Sequence, residues 1–317
     1  SGRAGRLVCP YHQWVYGRDG RLLSCRGMQE ELQTDAARSQ LGLQPVHLRE
    51  VEGLLFLSLA AEPPDFEEAR RHLAPMLRPQ GFERARVAKI VDYEIRANWK
   101  IVWENNRECY HCNVNHPQYI KANFDHYNAA DASERTKAAI AEATSRSEAK
   151  WASEGLSVTH KETGMTVFPD RHWFSINRTP LVEGYLSETM DGRVAAPLMG
   201  DYRDPDVGTL RVRALPNFWN HSSCDHGVST RLTPSGLGVT RARVIWVVDE
   251  KAVEGKDYRL EDILPFWQLT SEQDWRICEL AQRGILSSAY VPGPYSTYKE
   301  YNVEGFVRWY LKRVSGG

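Results

Sequence analysis

The chain has no run of eighteen apolar residues, so nothing in it reads as a membrane-spanning helix. It has almost no net charge: 40 basic and 41 acidic residues leave a formal charge of −1. A surface balanced in this way suits neither nucleic acid nor an anionic membrane face, and neither is expected as a partner. Cysteine is sparse, six residues without regular spacing, which argues against a disulfide framework and fits a reducing cytoplasm. The chain opens on Ser1-Gly2 with neither Met nor a signal pattern, so the natural N-terminus is expected upstream. Hydrophobic residues make up 42% of the chain, enough for a sizeable core, and the length corresponds to one large domain or two smaller ones.

What is present is concentrated in residues 98–117, NWKIVWENNRECYHCNVNHP, which carry Glu104, Glu108, His111 and His116. Neutral imidazoles and carboxylates are ligands of divalent transition metals. Glu108 and His111 share a face of any helix through them. His111 and His116 stand about 140° apart around a helix, so a regular helix would point them away from each other. Pro117 pushes His116 out of the helical region and ends the helix there. The expected picture is a helix carrying Glu108 and His111, with His116 swung back from its end. A distant carboxylate would complete the facial triad of a non-haem iron(II) oxygenase, which keeps coordination positions open. The plainer alternative is surface or hydrogen-bonded core histidine. Cys109 and Cys112 form a C-x-x-C that suits zinc or redox work, but no second pair accompanies it and no His follows Cys112 as haem attachment requires.

Glu108-x-x-His111-x-x-x-x-His116-Pro117, preceded by Asn98-Trp99-Lys100 and Glu104-Asn105, resembles the mononuclear iron motif of Rieske non-haem iron oxygenase large (alpha) subunits. The run ENNRECYHC is more similar still to the quaternary-ammonium branch: choline and carnitine monooxygenases and the glycine betaine and proline betaine (stachydrine) demethylases. The wider family carries Asp where this chain has Glu108. The resemblance covers nearly the whole chain.

Near the start, Cys9-Pro10-Tyr11-His12 is a C-x-x-H, followed by a turn at Gly17-Arg18-Asp19-Gly20. It resembles the second half of a Rieske [2Fe–2S] motif, in which two Cys hold one iron and two His the other, with Tyr11 and Trp14 as aromatic neighbours. The first half, a C-x-H, is absent from the residues before Cys9, so the cluster cannot be complete in this sequence. The expected fold is α+β. The resemblance implies a truncated all-β Rieske domain over residues 1–63, closed by two short strands around Glu52-Gly53. Residues 64–317 would then form a helix-grip (START-like) catalytic domain with a curved antiparallel sheet. A breaker, Glu62-Pro63-Pro64-Asp65, marks the boundary. An amphipathic helix is expected over Phe66–Leu77 and a strand over Arg86–Ile95. Residues 124–155 read as a solvated helix, or alternatively as a mobile segment over the iron pocket. The runs HWFSIN, GTLRVRALPNFWNH, GVSTRLTP and GVTRARVIWVV alternate like strands joined by tight links, which predicts an antiparallel sheet. Helices before and after it make the class α+β.

Residues 257–284 end in a helix, with Thr270 and Gln273 as a capping box and Gly284 as its stop. Asp274 falls on the apolar face with Ile277, Cys278 and Ala281. A carboxylate there must be paired, hydrogen-bonded or metal-bound, unless the helix dipole alone favours it. Glu272 competes for the same role. The similarity of QDWRICE to the family's segment implies that Asp274 is the third iron ligand, and residues 290–310 match the tail of the same branch.

A quaternary ammonium has no N–H to donate and is held by aromatic faces through cation–π attraction. Trp173, Phe174, Phe218 and Trp219 are the strand aromatics that could serve. A betaine carboxylate wants a charge-assisted donor, for which His226 and Arg231 are candidates. Ordinary core or sheet-surface roles are the alternative for each.

The resemblance thus implies mononuclear Fe(II) held by His111, His116 and Asp274, with O2 as co-substrate. It implies a [2Fe–2S] cluster with Cys9 and His12 among its ligands, supplied with electrons from NAD(P)H by a separate flavin reductase. The neighbouring subunit of a head-to-tail homotrimer would deliver those electrons, with Glu108 bridging its His12 and this chain's His111. The implied reaction oxidises an N-methyl group of a small betaine and releases formaldehyde. Choline- or carnitine-type monooxygenation, a ligand-binding helix-grip protein with a vestigial site, and a zinc hydrolase on the same ligands are the alternatives.

Overall fold

The computed structural model describes residues 3–124, 132–158, 163–164 and 173–315. It divides into two compact units, Ser1–Glu50 with Leu55–Pro64, and Val51–Leu54 with Asp65–Gly317.

The first unit contains a three-stranded antiparallel sheet of β1 (Leu7–Val8), β2 (Val15–Tyr16) and β3 (Leu22–Ser24). The turn expected after β2 is present. Gly20 adopts φ 84° and donates its N–H to the Gly17 carbonyl at 3.0 Å, a conformation that favours glycine. The short helix α1 (Asp35–Gln40) starts where the Thr34 hydroxyl accepts the Ala37 N–H. β4 (His47–Val51) and β5 (Leu54–Ser58) are the two expected strands around Glu52-Gly53. Both turn residues have positive φ, 46° and 86°, as a tight hairpin turn demands.

In the second unit α2 (Phe66–Leu77) begins where the Asp65 carboxylate accepts the Glu67 N–H, with Glu67 and Glu68 favoured by the helix dipole in its first turn. It buries Phe66, Ala69, Leu73 and Leu77. β6 (Arg86–Ile95) opens a seven-stranded sheet completed by β7 (Thr163–Gly164), β8 (Phe174–Thr179), β9 (Thr209–Ala214), β10 (Phe218–Ser222), β11 (His226–Pro234) and β12 (Thr240–Val248). The order is β6-β12-β11-β10-β9-β8-β7, and every neighbouring pair is antiparallel. The architecture is therefore α+β. Along β12 the residues Ala242, Val244, Trp246 and Val248 are buried while Arg241 and Arg243 are exposed, the period of two that a half-covered sheet imposes.

The helices are α3 (Trp99–Arg107), α4 (Cys112–Asn115), α5 (Tyr119–Ala122), α6 (Glu134–Ser153), α7 (Leu260–Ile263), α8 (Pro265–Ile285) and α9 (Tyr301–Val314). α3 and α8 pack on each other, α8 also on β6, and α9 on α3. Their shared core holds Trp103, Trp246, Phe266 and Phe306. In α6 only Trp151 is buried, so the solvated-helix reading describes most of it, yet Ile140 and Thr144 line a cavity treated below. The expected run at 124–155 otherwise falls partly outside the described residues, as does His172.

Three local expectations fail. The helix meant to carry Glu108 and His111 ends at Arg107. Thr270 and Gln273 are not a capping box: α8 begins five residues earlier at Pro265, a favoured first residue because its missing N–H would be unbonded there anyway. Gly284 is not the stop, because the helix runs on to Ile285. Among the described residues no helix is long and apolar enough to cross a membrane.

Candidate metal centre

The Asn98 side chain accepts the Lys100 N–H at 3.0 Å and starts α3. The helix stops because Glu108 takes an extended backbone, φ −133° and ψ 165°. One helical turn, α4, follows, with His111 before its first residue and His116 after its last. His116, preceding Pro117, has φ −124° and ψ 64°, outside the helical region as expected. The two rings stand edge-to-face with centroids 5.1 Å apart.

Both imidazoles meet Asp274 of α8, 158 positions beyond His116. The Asp274 Oδ1 lies 2.9 Å from His116 Nε2 and 3.2 Å from His111 Nε2. Glu272, the competing acid, faces elsewhere: its Oε1 accepts from Gln268 at 3.0 Å and from the Tyr93 hydroxyl at 3.4 Å.

The far side of each ring is fixed. His116 Nδ1 donates to the Gln273 side-chain oxygen Oε1 at 2.8 Å, which also accepts from Gln118 Nε2 at 3.0 Å. Gln118 reaches the Thr270 hydroxyl at 2.9 Å, and Thr270 donates to the Phe266 carbonyl. His111 Nδ1 donates to Glu108 Oε1 at 2.7 Å, and Glu108 also accepts the Tyr110 N–H. With both Nδ1 atoms donating to their own acceptors, both Nε2 atoms point at Asp274 Oδ1 and donate to it here; a bound ion would replace those two protons and take the Nε2 lone pairs. Burial pulls the His111 imidazole down, but Asp274 and Glu108 outweigh it and push it up to about 9. Burial raises Asp274, and the hydrogen bonds from His111 and His116 outweigh that and hold it low.

Two imidazole nitrogens and one carboxylate oxygen converging from three directions fit a divalent first-row ion such as iron(II), and the same donors also fit zinc. Cys112 Sγ lies 3.9 Å from His111 Nε2 and close enough to both rings to complete a ligand set. It is bonded to Cys109 in a disulfide, however, and a disulfide sulfur has no thiolate to give. The C-x-x-C is therefore a local bridge in this structure rather than a zinc pair.

Beside the three groups lies a cavity of about 610 Å³. One of its walls is the sheet. Antiparallel register sets Asn177, Arg211, His221 and Val228 in one row across β8, β9, β10 and β11, and Arg213, Trp219 and Thr230 in the next. Trp267, Ser271 and Trp275 of α8 face it with Asp274, and Tyr119 of α5 joins them.

Of the sequence candidates for substrate contact, Trp219 lines this cavity. Phe174, Phe218 and Arg231 do not, because each has the other parity on its strand and so points through the opposite face of the sheet. Phe174 packs near His72, and Arg231 is exposed. Trp173 precedes β8 and stacks on Phe66 of α2 at 5.9 Å. His226 is sealed against Asp225, Nδ1 to Oδ1 at 2.8 Å. Arg211, Arg213, His221, Trp267 and Trp275 were missed as cavity residues, and Gln273 as the partner of His116. A signal for two of them was present: TLRVRA places arginines at alternate positions of a strand that is buried throughout.

The Cys9–His12 fragment forms a tight loop, closed by Cys9 N–H to the Trp14 carbonyl at 2.8 Å and Gln13 N–H to the Cys9 carbonyl at 2.9 Å. The backbone amides of His12 and Tyr11 hold the Cys9 thiol below its ordinary range. The loop offers two donors where a Rieske cluster needs four, and residues 3–8 contain neither Cys nor His. The described residues thus supply half of such a ligand set.

A family model described as "Ring hydroxylating alpha subunit (catalytic domain)" matches residues 82–316. The glycine betaine monooxygenase oxygenase subunit of Pseudomonas aeruginosa is 38% identical over 99% of this chain and 71% of its own length. That of Chromohalobacter salexigens is 40% identical over 98% of this chain and 67% of its own. The crystal structure of the quaternary ammonium Rieske monooxygenase CntA with L-carnitine shares the fold, with a TM-score of 0.59 at 15% identity, covering 99% of this chain and 72% of that one. With a match across most of its length and close relatives along nearly all of it, the chain belongs to the ring-hydroxylating alpha subunit family, the Rieske non-haem iron oxygenases.

Proposed function

We propose that the chain is the oxygenase component of a monooxygenase that removes an N-methyl group from a betaine, releasing formaldehyde. The observation that carries this is the convergence of His111 Nε2, His116 Nε2 and Asp274 Oδ1 beside a cavity walled by indoles. The relatives named for glycine betaine support the substrate class. Iron(II) bound by the three groups would supply the oxidising chemistry with O2.

The chain's own residues bind and orient. Gln273 and Glu108 hold the two rings so that their Nε2 atoms stay aimed together. Trp219, Trp267, Trp275 and Tyr119 present faces to a methylammonium head, each worth about 0.5–2 kcal/mol as cation–π partners. The same rings keep bulk water from the reacting methyl group. Insertion of oxygen into a C–H bond leaves an N-hydroxymethyl ammonium. Loss of its hydroxyl proton and return of the C–N electron pair to nitrogen give formaldehyde and the demethylated amine.

The proposal also takes residues 1–63 as the second half of a Rieske domain, with Cys9 and His12 as ligands, and residues 64–317 as a helix-grip domain. It further includes a cytoplasmic head-to-tail homotrimer and a separate NAD(P)H-dependent flavin reductase. In that assembly Glu108 is the link between His111 and a neighbour's His12.

The test is full-length protein with a reductase, O2 and a panel of methylammonium compounds, scored for formaldehyde, with metal content measured on the same preparation. Iron with formaldehyde from glycine betaine or proline betaine is expected. Zinc, or no metal, would remove the oxygenase reading. Oxidation of choline at its alcohol carbon, without formaldehyde, would move the protein to the choline-type reaction.

A further inference from the structure

We infer that Arg211, Arg213 and His221 form a carboxylate subsite on the sheet wall of the cavity, and that this subsite selects a zwitterionic betaine over choline. The inference rests on the betaine reading above and adds which residues recognise the acid end.

Arg211 and Arg213 occupy alternate positions of β9 on its cavity-lining face, while Leu210, Val212 and Ala214 occupy the other. Both arginines are under one-tenth exposed. Register sets His221 beside Arg211 and Trp219 beside Arg213, so the cationic pair lies directly against rings that can hold an ammonium. The His221 ring lies 4.2 Å from that of Trp267. The head and tail of a glycine betaine are one methylene apart, and this wall places their complements on adjacent strands.

Two buried polar atoms in the same row, His221 Nε2 and Asn177 Oδ1, have no hydrogen-bond partner among the described residues. Burial, reinforced by the charges of Arg211 and Arg213, pulls the His221 imidazole far down, so the ring is neutral and its Nε2 can donate or accept according to tautomer. A buried polar atom left without a partner is costly, and a ligand carboxylate between the guanidinium pair and His221 would accept the His221 Nε2–H, while the Asn177 oxygen, itself an acceptor, would not contact it.

The arginines are also held in place. Arg211 Nη2 donates to Asn123 Oδ1 at 2.8 Å, Asn123 Nδ2 donates to Glu188 Oε1 at 3.1 Å, and Thr209 donates to Glu188 Oε2 at 3.0 Å. Arg213 Nε donates to Asn106 Oδ1 at 3.3 Å. Asn123 and Glu188 are positioning residues, because they fix Arg211 from behind the wall. Glu188 is fully buried, and the Arg211 charge opposes the rise that burial imposes on its carboxyl.

The test measures binding of glycine betaine and of choline to iron-loaded protein, without reductant, by calorimetry or tryptophan fluorescence. The wild-type protein binds glycine betaine more tightly. Arg211→Gln and Arg213→Gln each lower the ratio of betaine to choline affinity by about 10- to 100-fold, the effect of losing one charge-assisted hydrogen bond. The double variant Arg211→Gln/Glu188→Gln, which removes the buried acid together with its counter-charge, keeps the lowered ratio. Recovery of the ratio in the double variant, or no change in it for either single variant, would show that the arginines only balance buried charge and would overturn the inference. Binding of neither probe to the wild type would remove the betaine reading and this inference together, a result distinct from binding with an unchanged ratio. Thermal unfolding of each variant reports folding, and Arg213→Gln carries the test if Arg211→Gln does not fold.

Discussion

Two histidine–aspartate pairs in the second unit have nearly the same geometry and opposite settings. His116 and Asp274 meet at 2.9 Å, His226 and Asp225 at 2.8 Å. The Asp274 side chain is 21% exposed, toward the cavity, whereas that of Asp225 is 0% exposed. Asp274 has a second imidazole on the same oxygen. Asp225 is engaged on both oxygens instead, accepting from His226, from the Ser187 hydroxyl at 2.7 Å and from the Ala195 N–H at 2.7 Å. The first pair leaves converging donors beside space, and the second engages both Asp225 oxygens within the protein and ties the segment around 187–195 to the start of β11. Proximity of His to Asp is thus common to both sites. What distinguishes a candidate metal centre is a further donor and room next to it.

The sharpest way to break this contrast is to remove a member of each pair. Asp274→Ala or His116→Ala should abolish stoichiometric iron and lower formaldehyde release by about a thousandfold or more, since activity would depend on the bound metal. Iron analysis and turnover on the same preparation check this, and full iron in both variants would move the centre elsewhere. Glu108→Gln sharpens it within the site. An amide oxygen still accepts from His111 Nδ1, so iron should stay while reductase-coupled turnover falls at least about tenfold, the lower range for loss of an outer partner. Undiminished coupled turnover in that variant would contradict the linking role of Glu108.

His226→Ala should do the reverse of Asp274→Ala. Iron content should persist, while the buried Asp225 left without its cation costs about 3–5 kcal/mol of stability, read from denaturant unfolding. Loss of iron at unchanged stability would erase the distinction between the pairs. The smallest effect concerns Glu104 of α3, an acid raised from 4.5 to about 7 by burial, opposed by Lys100 and helped by Glu300. Because the folded state keeps that proton longer than the unfolded chain does, its contribution is present below pH 4.5 and is lost as pH rises through 7. The decline is at most about 3 kcal/mol. Glu104→Gln should flatten the pH dependence of unfolding in that window, and an unaltered profile would refute the shift.

Much of the fold was legible because its signals are local. The breaker Glu62-Pro63-Pro64-Asp65 and the amphipathic run after it marked α2, and alternation marked β6 and β12. Pro117 likewise turns His116 out of the helical region, a restriction any proline places on the residue before it. The break at Glu108 was not legible, since Glu and Arg favour helix and nothing in ENNRECYH forbids its continuation. Thr270 and Gln273 showed a start signal inside a helix, where their hydrogen bonds go instead to Phe266, Gln118 and His116.

By itself the sequence determined the strand runs of the large sheet and helix α2, which side chains share a face within them, and that His111, His116 and an acid of the helix over 265–285 were chemically able to meet. Periodicity left Asp274 and Glu272 open and the resemblance chose Asp274, but only the tertiary structure decided that Arg211, Arg213 and His221 rather than Arg231 and His226 stand on the cavity wall. The reason is physical: periodicity orders side chains relative to their own element, whereas the partner facing that element is chosen by burial of surfaces far apart along the chain.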